Sequence, residues 1–321
     1  MKTRVVIALA VISALAPLYG GGRTEAPDQP SQTIAVVARI LDDPLYADAR
    51  RAAEAAAHEL ETPLLWTAPL RAEAAEQISI VEQMIETGVA AILISPLDAA
   101  ALRAVIDRAV GAGTAVATFE LDVPQSRRLF YVGTSQRRIG EVAAEQLLQL
   151  THEMRAPVDV AILTGIRSSF TLDERLIGAQ QTLAQTNVRI VNKVQVPTEP
   201  QQAADAVASY SDLYPGLDGW LILQGYPLLG DPLYSGGLRQ FRDRGGVVVA
   251  ADSFYPMLQA VSGGSVDVLV GIDMATLADR AVRELIEVLR GGEVPARAQM
   301  LEPEVVNRGT LPLIQGRKAP W

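Results

Sequence analysis

A chain of 321 residues, 49% hydrophobic and 20% charged, can bury more than one average domain core, and that ordinary balance excludes a disordered polymer. Its formal net charge of −9 repels phosphate backbones and anionic headgroups, which excludes a nucleic-acid partner. Cysteine is absent and His58 and His152 are the only imidazoles, so disulfides, thiolate nucleophiles and cysteine metal sites are excluded as well.

At the start of the chain Lys2 and Arg4 precede an apolar run from Val5 to Ala16, closed by Pro17, Leu18, Tyr19 and three glycines. Positive charge followed by a short apolar stretch is the form of an export leader. The run is shorter than the roughly 20 residues that a membrane-spanning helix needs. Residues 1–22 are therefore expected to be a signal peptide and 23–32 a polar tether, which places the mature protein in the periplasm or cell envelope. Gly21 stands where a lipid-bearing cysteine would be required, so lipidation is not expected.

From Thr33 short apolar strands alternate with amphipathic helices, the sequence form of repeated βαβ units around a parallel sheet. Strands are predicted at 34–40, 64–67, 89–95 and 115–119, with helices at 47–60, 72–87 and 99–112. In the second of these helices Ile78, Val81, Met84 and Ile85 share one face. The strand from Val89 to Ser95 is apolar on both faces, as a sheet covered by helices on each side requires. The rhythm then restarts, with strands at 129–132, 158–163, 188–195, 219–224, 247–251 and 266–271 and helices at 138–150, 172–184, 201–210, 236–244 and 275–290. Trp66 and Trp220 fall on strands and read as core residues, and Trp321 is terminal.

Three runs carry a resemblance: TIAVVARILDDPLYADARRAAEAAA from Thr33, GVAAILISPLDAAALRAVIDRAVGAGTAVATFELDVP from Gly88, and YVGTSQRRIGEVAAEQLL from Tyr131. In order and spacing they are similar to the ribose- and galactose-binding branch of the type I periplasmic binding proteins. The resemblance implies an α/β fold of two Rossmann-like lobes, each a parallel sheet flanked by helices, joined by a three-strand hinge. It puts the crossings near Thr134, Ile272 and Leu301, so the lobes comprise 33–134 with 273–300 and 135–272 with 301–321. Open α/β sheets bind ligands outside the carboxyl ends of their strands, so the residues just past each strand are the candidates.

After the first strand stand Arg39, Asp42, Asp43 and Tyr46. Tyr46 occupies a region where sugar-binding relatives place aromatics that stack on the ring, and Asp43 is open between ligand contact and helix capping, with Asp42 the favoured cap. After the strand ending at Phe119 come Glu120, Leu121 and Asp122, where the resembled family shows Asp-Arg at the first two positions; the arginine is missing, and either Glu120 or Asp122 can accept hydrogen bonds from hydroxyls. Arg175 matches the arginine that forks onto ligand oxygens, with a surface ion pair as its alternative. Asp252 matches a hinge-side aspartate, with capping of a helix near Tyr255 as its alternative. Gly225 stands in place of an asparagine, and Ile272 with Asp273 where a glutamine is usual, so Gln224 or Asp273 is expected to substitute.

The function implied is capture of a small polar, carbohydrate-like ligand in the interlobe cleft, with no cofactor and no catalysis, by a monomer that serves an ABC transporter permease or a membrane sensor kinase. An enzyme would have to use the carboxylates at 42, 43, 120, 122 and 252, yet the chain has no phosphate-binding glycine loop and no nucleophile elbow. A sugar-responsive repressor would need a DNA-binding segment where the leader stands.

Overall fold

The computed structural model describes residues 32–165, 169–196, 199–229 and 236–318. The expected leader at 1–22, all but the last residue of the tether at 23–32, and Trp321 lie outside the described residues.

The first lobe runs β1 (Ile34–Val37), α1 (Ala47–Glu59), β2 (Leu64–Thr67), α2 (Ala74–Glu86), β3 (Ala91–Ile94), α3 (Ala99–Gly111), β4 (Ala115–Glu120) and β5 (Tyr131–Thr134). The chain then passes into a second set: α4 (Gln136–Thr151), β6 (Val158–Gly165), α5 (Phe170–Leu183), β7 (Val188–Val196), α6 (Pro200–Leu213), β8 (Gly219–Ile222), α7 (Gly236–Asp243), β9 (Val247–Ala251), α8 (Leu258–Ser262) and β10 (Val268–Gly271). It ends with α9 (Met274–Leu289), β11 (Ala298–Leu301), β12 (Glu304–Val306) and α10 (Leu311–Gln315).

Among the described residues these strands form two six-stranded sheets, β2-β1-β3-β4-β5-β11 and β7-β6-β8-β9-β10-β12. Every pair is parallel except β10 with β12. Both sheets have the same order, with the second strand outside the first, so β1 corresponds to β6, β3 to β8 and β4 to β9. In each, the strand order reverses beside the first strand, which opens a crevice at the carboxyl ends. The two-lobed α/β architecture implied by the resemblance is the one observed.

Strand alternation explains why both faces of each sheet are covered. In the first lobe Ile34, Val36, Leu93 and Phe119 pack beneath α1 and α9, while Ala35, Val37, Ile92 and Ile94 pack beneath α2 and α3. In the second lobe Ile162, Leu221 and Val249 join α4 and α5. On its opposite face Trp220, Leu163 and Val248 pack with Phe241 of α7 and Leu258 of α8. The α1/α9 layer and the α4/α5 layer belong to one continuous apolar cluster.

The chain crosses between sheets three times. β5 leads into α4; β10 leads through Ile272 and Asp273 into α9, which packs on α1 and β4; and β11 pairs with β5 before β12 pairs with β10. Two expectations needed adjustment. The strand expected at 129–132 is β5 at 131–134, because its far edge is set by pairing of Tyr131 with Ala298. The first strand ends at Val37, where the backbone turns to bring Arg39 toward the cleft end of the sheet.

Candidate functional site

The residues past β1, β3 and β4 meet in one network. Glu120 ends β4 with φ at 63°, a left-handed conformation that a side-chain-bearing residue seldom adopts. Its Oε2 accepts from the Tyr46 hydroxyl and from Ser95 Oγ at 2.6 Å, and Arg39 Nη1 lies 3.7 Å from its Oε1. Burial, and then the Glu120 charge, push the Tyr46 phenol well above its ordinary pKa. Burial works to lower the Arg39 pKa, but Glu120 and Tyr46 outweigh it and the net direction is upward. Arg39 Nε is buried without a hydrogen-bond partner.

The second lobe repeats the device at the corresponding strand. Asp252 follows β9 with φ at 73°. It accepts from Arg175 Nη2 at 2.8 Å and from the Gly225 amide at 3.2 Å. Arg175 is 4% exposed, and its other nitrogens donate to Gln136 Oε1 at 2.9 Å and to the Leu223 carbonyl at 3.0 Å. This geometry depends on close packing of α4 against α5. A Cβ on Gly140 would fall 1.9 Å from the Arg175 carbonyl oxygen, and one on Gly178 would fall 2.2 Å from that of Arg137. Only glycine allows the two backbones to approach this far. Gly225 differs from these two, since its Cβ would meet the movable end of Met257, 2.4 Å from Cε, with the nearest backbone atom, the Ala251 carbonyl oxygen, at 3.1 Å. Beside it Gln224 is 7% exposed, with its Oε1 lacking a partner.

Between the two networks lies a cleft of about 480 Å³ bounded by Glu120 and Leu121 of the first lobe and Gln136, Phe170 and Glu174 of the second. It touches both networks, through Glu120 and Gln136. Arg137 and Glu174 on its wall are joined at 2.9 and 3.1 Å.

Several candidates take other partners. Asp122 accepts both nitrogens of a buried Arg128 at 2.5 Å and Thr118 Oγ1 at 2.9 Å, so it fastens the β4–β5 connection instead of forming a solvated turn. Asp43 accepts from the Leu45 amide at 3.0 Å and caps the turn Pro44–Tyr46, the role expected of Asp42, whose residue is exposed. Asp273 caps α9 by accepting from the Thr276 amide and hydroxyl at 3.1 and 2.8 Å, and pairs with Arg317 at 3.2 Å. Asp252 does not cap the turn at Tyr255, which has Phe254 before it and no side-chain cap. The Tyr46 ring is 5% exposed and packed in the core, so its hydroxyl alone reaches the network. Sequence reading passed over Ser95, Gln136 and Phe170. Ser95 directly follows β3 and Gln136 opens α4, whereas the expected strand ran through Ser95 and the expected helix began at 138, so neither stood out as a residue just past a strand.

Among the described residues no group of three or more His, Asp or Glu side chains is placed to hold a metal ion, and no helix is long and apolar enough to cross a membrane.

Comparison with known proteins agrees with this architecture. The D-ribose/D-allose-binding protein of Pseudomonas aeruginosa is 29% identical over 126 residues, a match spanning 37% of this chain and 39% of that protein. An arabinose binding protein, AraP, from Geobacillus stearothermophilus superposes with a TM-score of 0.77 at 18% identity, covering 88% of this chain and 99% of that one. A sugar-binding protein of a sugar ABC transporter from Bacillus halodurans does so with a TM-score of 0.79 at 19% identity, covering 88% and 99%. Residues 34–293 match the model of the periplasmic binding protein domain. The chain belongs to the family of periplasmic binding proteins that this domain defines.

Proposed function

We propose that the protein is an exported solute-binding receptor whose lobes, 33–134 with 273–300 and 135–272 with 301–321, close on a small carbohydrate-like ligand for delivery to an ABC transporter permease. The observation that carries this reading is the cleft itself, which has one polar network on each side: Arg39, Tyr46 and Glu120 on one lobe, Gln136, Arg175 and Asp252 on the other. A ligand that bonds to both networks makes its full set of contacts only when the lobes approach, so it shifts the population toward closure. Gln224 Oε1 and Arg39 Nε, buried without partners, supply an acceptor and a donor beside these networks. Asp122 shapes the wall through its bonds to Arg128, while Asp43 and Asp273 hold the turn before α1 and the start of α9. The names of the relatives, for D-ribose, D-allose and arabinose, support the ligand class.

The test is calorimetric titration and thermal denaturation of the purified protein with pentoses, hexoses, their glycosides and polyols. A ligand at about 100 times its dissociation constant adds roughly 2.7 kcal/mol of apparent stability. Binding is expected, and Arg175→Ala or Glu120→Gln is expected to weaken it at least about tenfold, as loss of a charge-assisted bond does. No heat and no shift with any of these compounds would remove the receptor reading.

A further inference from the structure

The two polar networks fill only part of the cleft wall, and we infer that the ligand is a sugar bearing an apolar substituent, such as an aryl glycoside, in preference to a free sugar. The inference rests on the receptor reading and names the ligand class of that same cleft. The polar groups on the wall are largely satisfied by one another: Arg137 by Glu174, Asp122 by Arg128, and the Tyr131 hydroxyl by the Glu120 carbonyl at 2.9 Å. On the cleft lining, ligand hydroxyls can reach Glu120 Oε1, which has only the distant Arg39, the amide N–H groups of Gln136, whose carbonyl is spent on Arg175, and the hydroxyls of Thr134 and Ser135, with Arg39 Nε and Gln224 Oε1 behind them. A sugar can anchor there.

Much of the rest of the lining is apolar, although Ser135, Arg137 and Glu174 flank Phe170 on the second-lobe side. Pro96, Leu97, Leu121 and Pro124 line it from the first lobe, Phe170 from the second, and Met300 from a hinge strand. Phe170 is 73% exposed and Met300 60% exposed. A single exposed apolar side chain is ordinary on any protein. Here the exposed ring faces a cleft whose opposite wall is also apolar, so closure would bury both surfaces at once. Phe170 opens α5, whose start Ser169 Oγ caps by accepting from the Leu172 amide at 3.3 Å.

A bare sugar ring held between these walls would lose water from hydroxyls that find no partner, which costs affinity. The ligand therefore has to offer hydroxyls to the polar groups and an apolar surface to the apolar part of the lining. A flat apolar substituent on the anomeric oxygen meets both conditions: its sugar reaches Glu120 and Gln136, and its ring lies between Phe170 and Leu97 with Leu121. The volume of about 480 Å³ sits within the range of roughly 300–1,000 Å³ that holds ligands larger than a monosaccharide.

Calorimetric titration with D-ribose, D-allose and D-arabinose, each against both anomers of its phenyl glycoside, tests this. For at least one sugar the phenyl glycoside is expected to bind about tenfold or more tightly than the parent, the gain from burying an aromatic ring. Phe170→Ala is expected to collapse that ratio toward one, and Phe170→Tyr to keep most of it, with unliganded thermal midpoints reporting that both variants fold. Free sugars that bind as well as their phenyl glycosides, or a ratio that Phe170→Ala leaves unchanged, would overturn the inference and leave the receptor reading intact. Silence from every sugar and glycoside would overturn both.

Discussion

Glu120 and Asp252 occupy equivalent positions at the cleft ends of β4 and β9, and both hold a left-handed backbone. Such a conformation costs on the order of 1–3 kcal/mol and persists where the surroundings over-determine it. Tyr46, Ser95 and Arg39 do this for Glu120; Arg175 and the Gly225 amide do it for Asp252. The Tyr46 hydroxyl gives a pH test of the first network. Burial and Glu120 raise its pKa, so the folded state prefers the neutral phenol. The stability this confers is full below the ordinary tyrosine value of about 10 and is lost as pH rises from there toward the raised folded value. Tyr46→Phe keeps the ring, forfeits about 1 kcal/mol of hydrogen bonding at neutral pH, and removes the alkaline loss. Urea denaturation from about pH 8 to about pH 11 is expected to show the gap between wild type and variant narrowing; a constant gap would mean that Tyr46 does not govern the alkaline limb. That these positions lie at the cleft ends of strands was legible in the sequence. Which partner each charge takes was not: Asp122 is claimed by Arg128 and Asp273 by the start of α9, choices set by packing between segments.

The same division holds for whole elements. Long apolar strands and amphipathic helices were readable because burial on fixed faces imposes their period, and the helices from α1 to α9 that were expected lie within a few residues of their predicted ends. β11, β12 and α10 were not read from the sequence, because strands of four and three residues and a helix of five carry too little periodicity and exist by pairing with strands or packing with helices distant in the chain. The contact of α4 with α5 shows how an element interface builds the site. Glycine within a helix ordinarily costs about 1 kcal/mol relative to alanine, and at Gly111, where a Cβ would meet only Arg127 Nη1 at 3.7 Å, alanine is expected to be neutral or stabilising by up to that amount. At Gly178 the sign reverses, since the Cβ would stand 2.2 Å from the backbone oxygen of Arg137, which cannot move without shifting α4. Gly178→Ala is expected to destabilise by about 1–3 kcal/mol and to weaken ligand binding, because Gln136 would leave Arg175. Denaturant midpoints and titration of both variants check this; a Gly178→Ala protein with wild-type midpoint and affinity would show that the helix contact does not position Arg175.

At the scale of the molecule, the C-terminal segment ties the crossings together. The Arg317 carbonyl accepts from Arg51 of α1 in the first lobe at 2.9 Å. Its guanidinium pairs with Asp273, at the second crossing, and with Glu304, just past the third, both at 3.2 Å. Lys318 is 8% exposed and pairs with Glu304 at 2.7 Å, and it donates to the Ser253 carbonyl at 2.6 Å, next to Asp252. One short stretch therefore touches the first lobe, two crossings and the backbone beside a cleft carboxylate. Removing one member of a buried ion pair costs about 3–5 kcal/mol because the other charge stays behind uncompensated. Lys318→Ala is expected to lose stability of that order, although Arg317 retains part of the Glu304 charge, and to broaden the distribution of interlobe distances measured between labels on α2 and α6. Replacing both partners, Lys318→Met with Glu304→Gln, removes the stranded charge and is expected to recover most of the stability while the distance distribution stays broad, since the tie across the crossings is still missing. A double variant that regains the wild-type distribution together with its stability would show that Lys318 serves the packing of the second lobe alone and takes no part in the hinge.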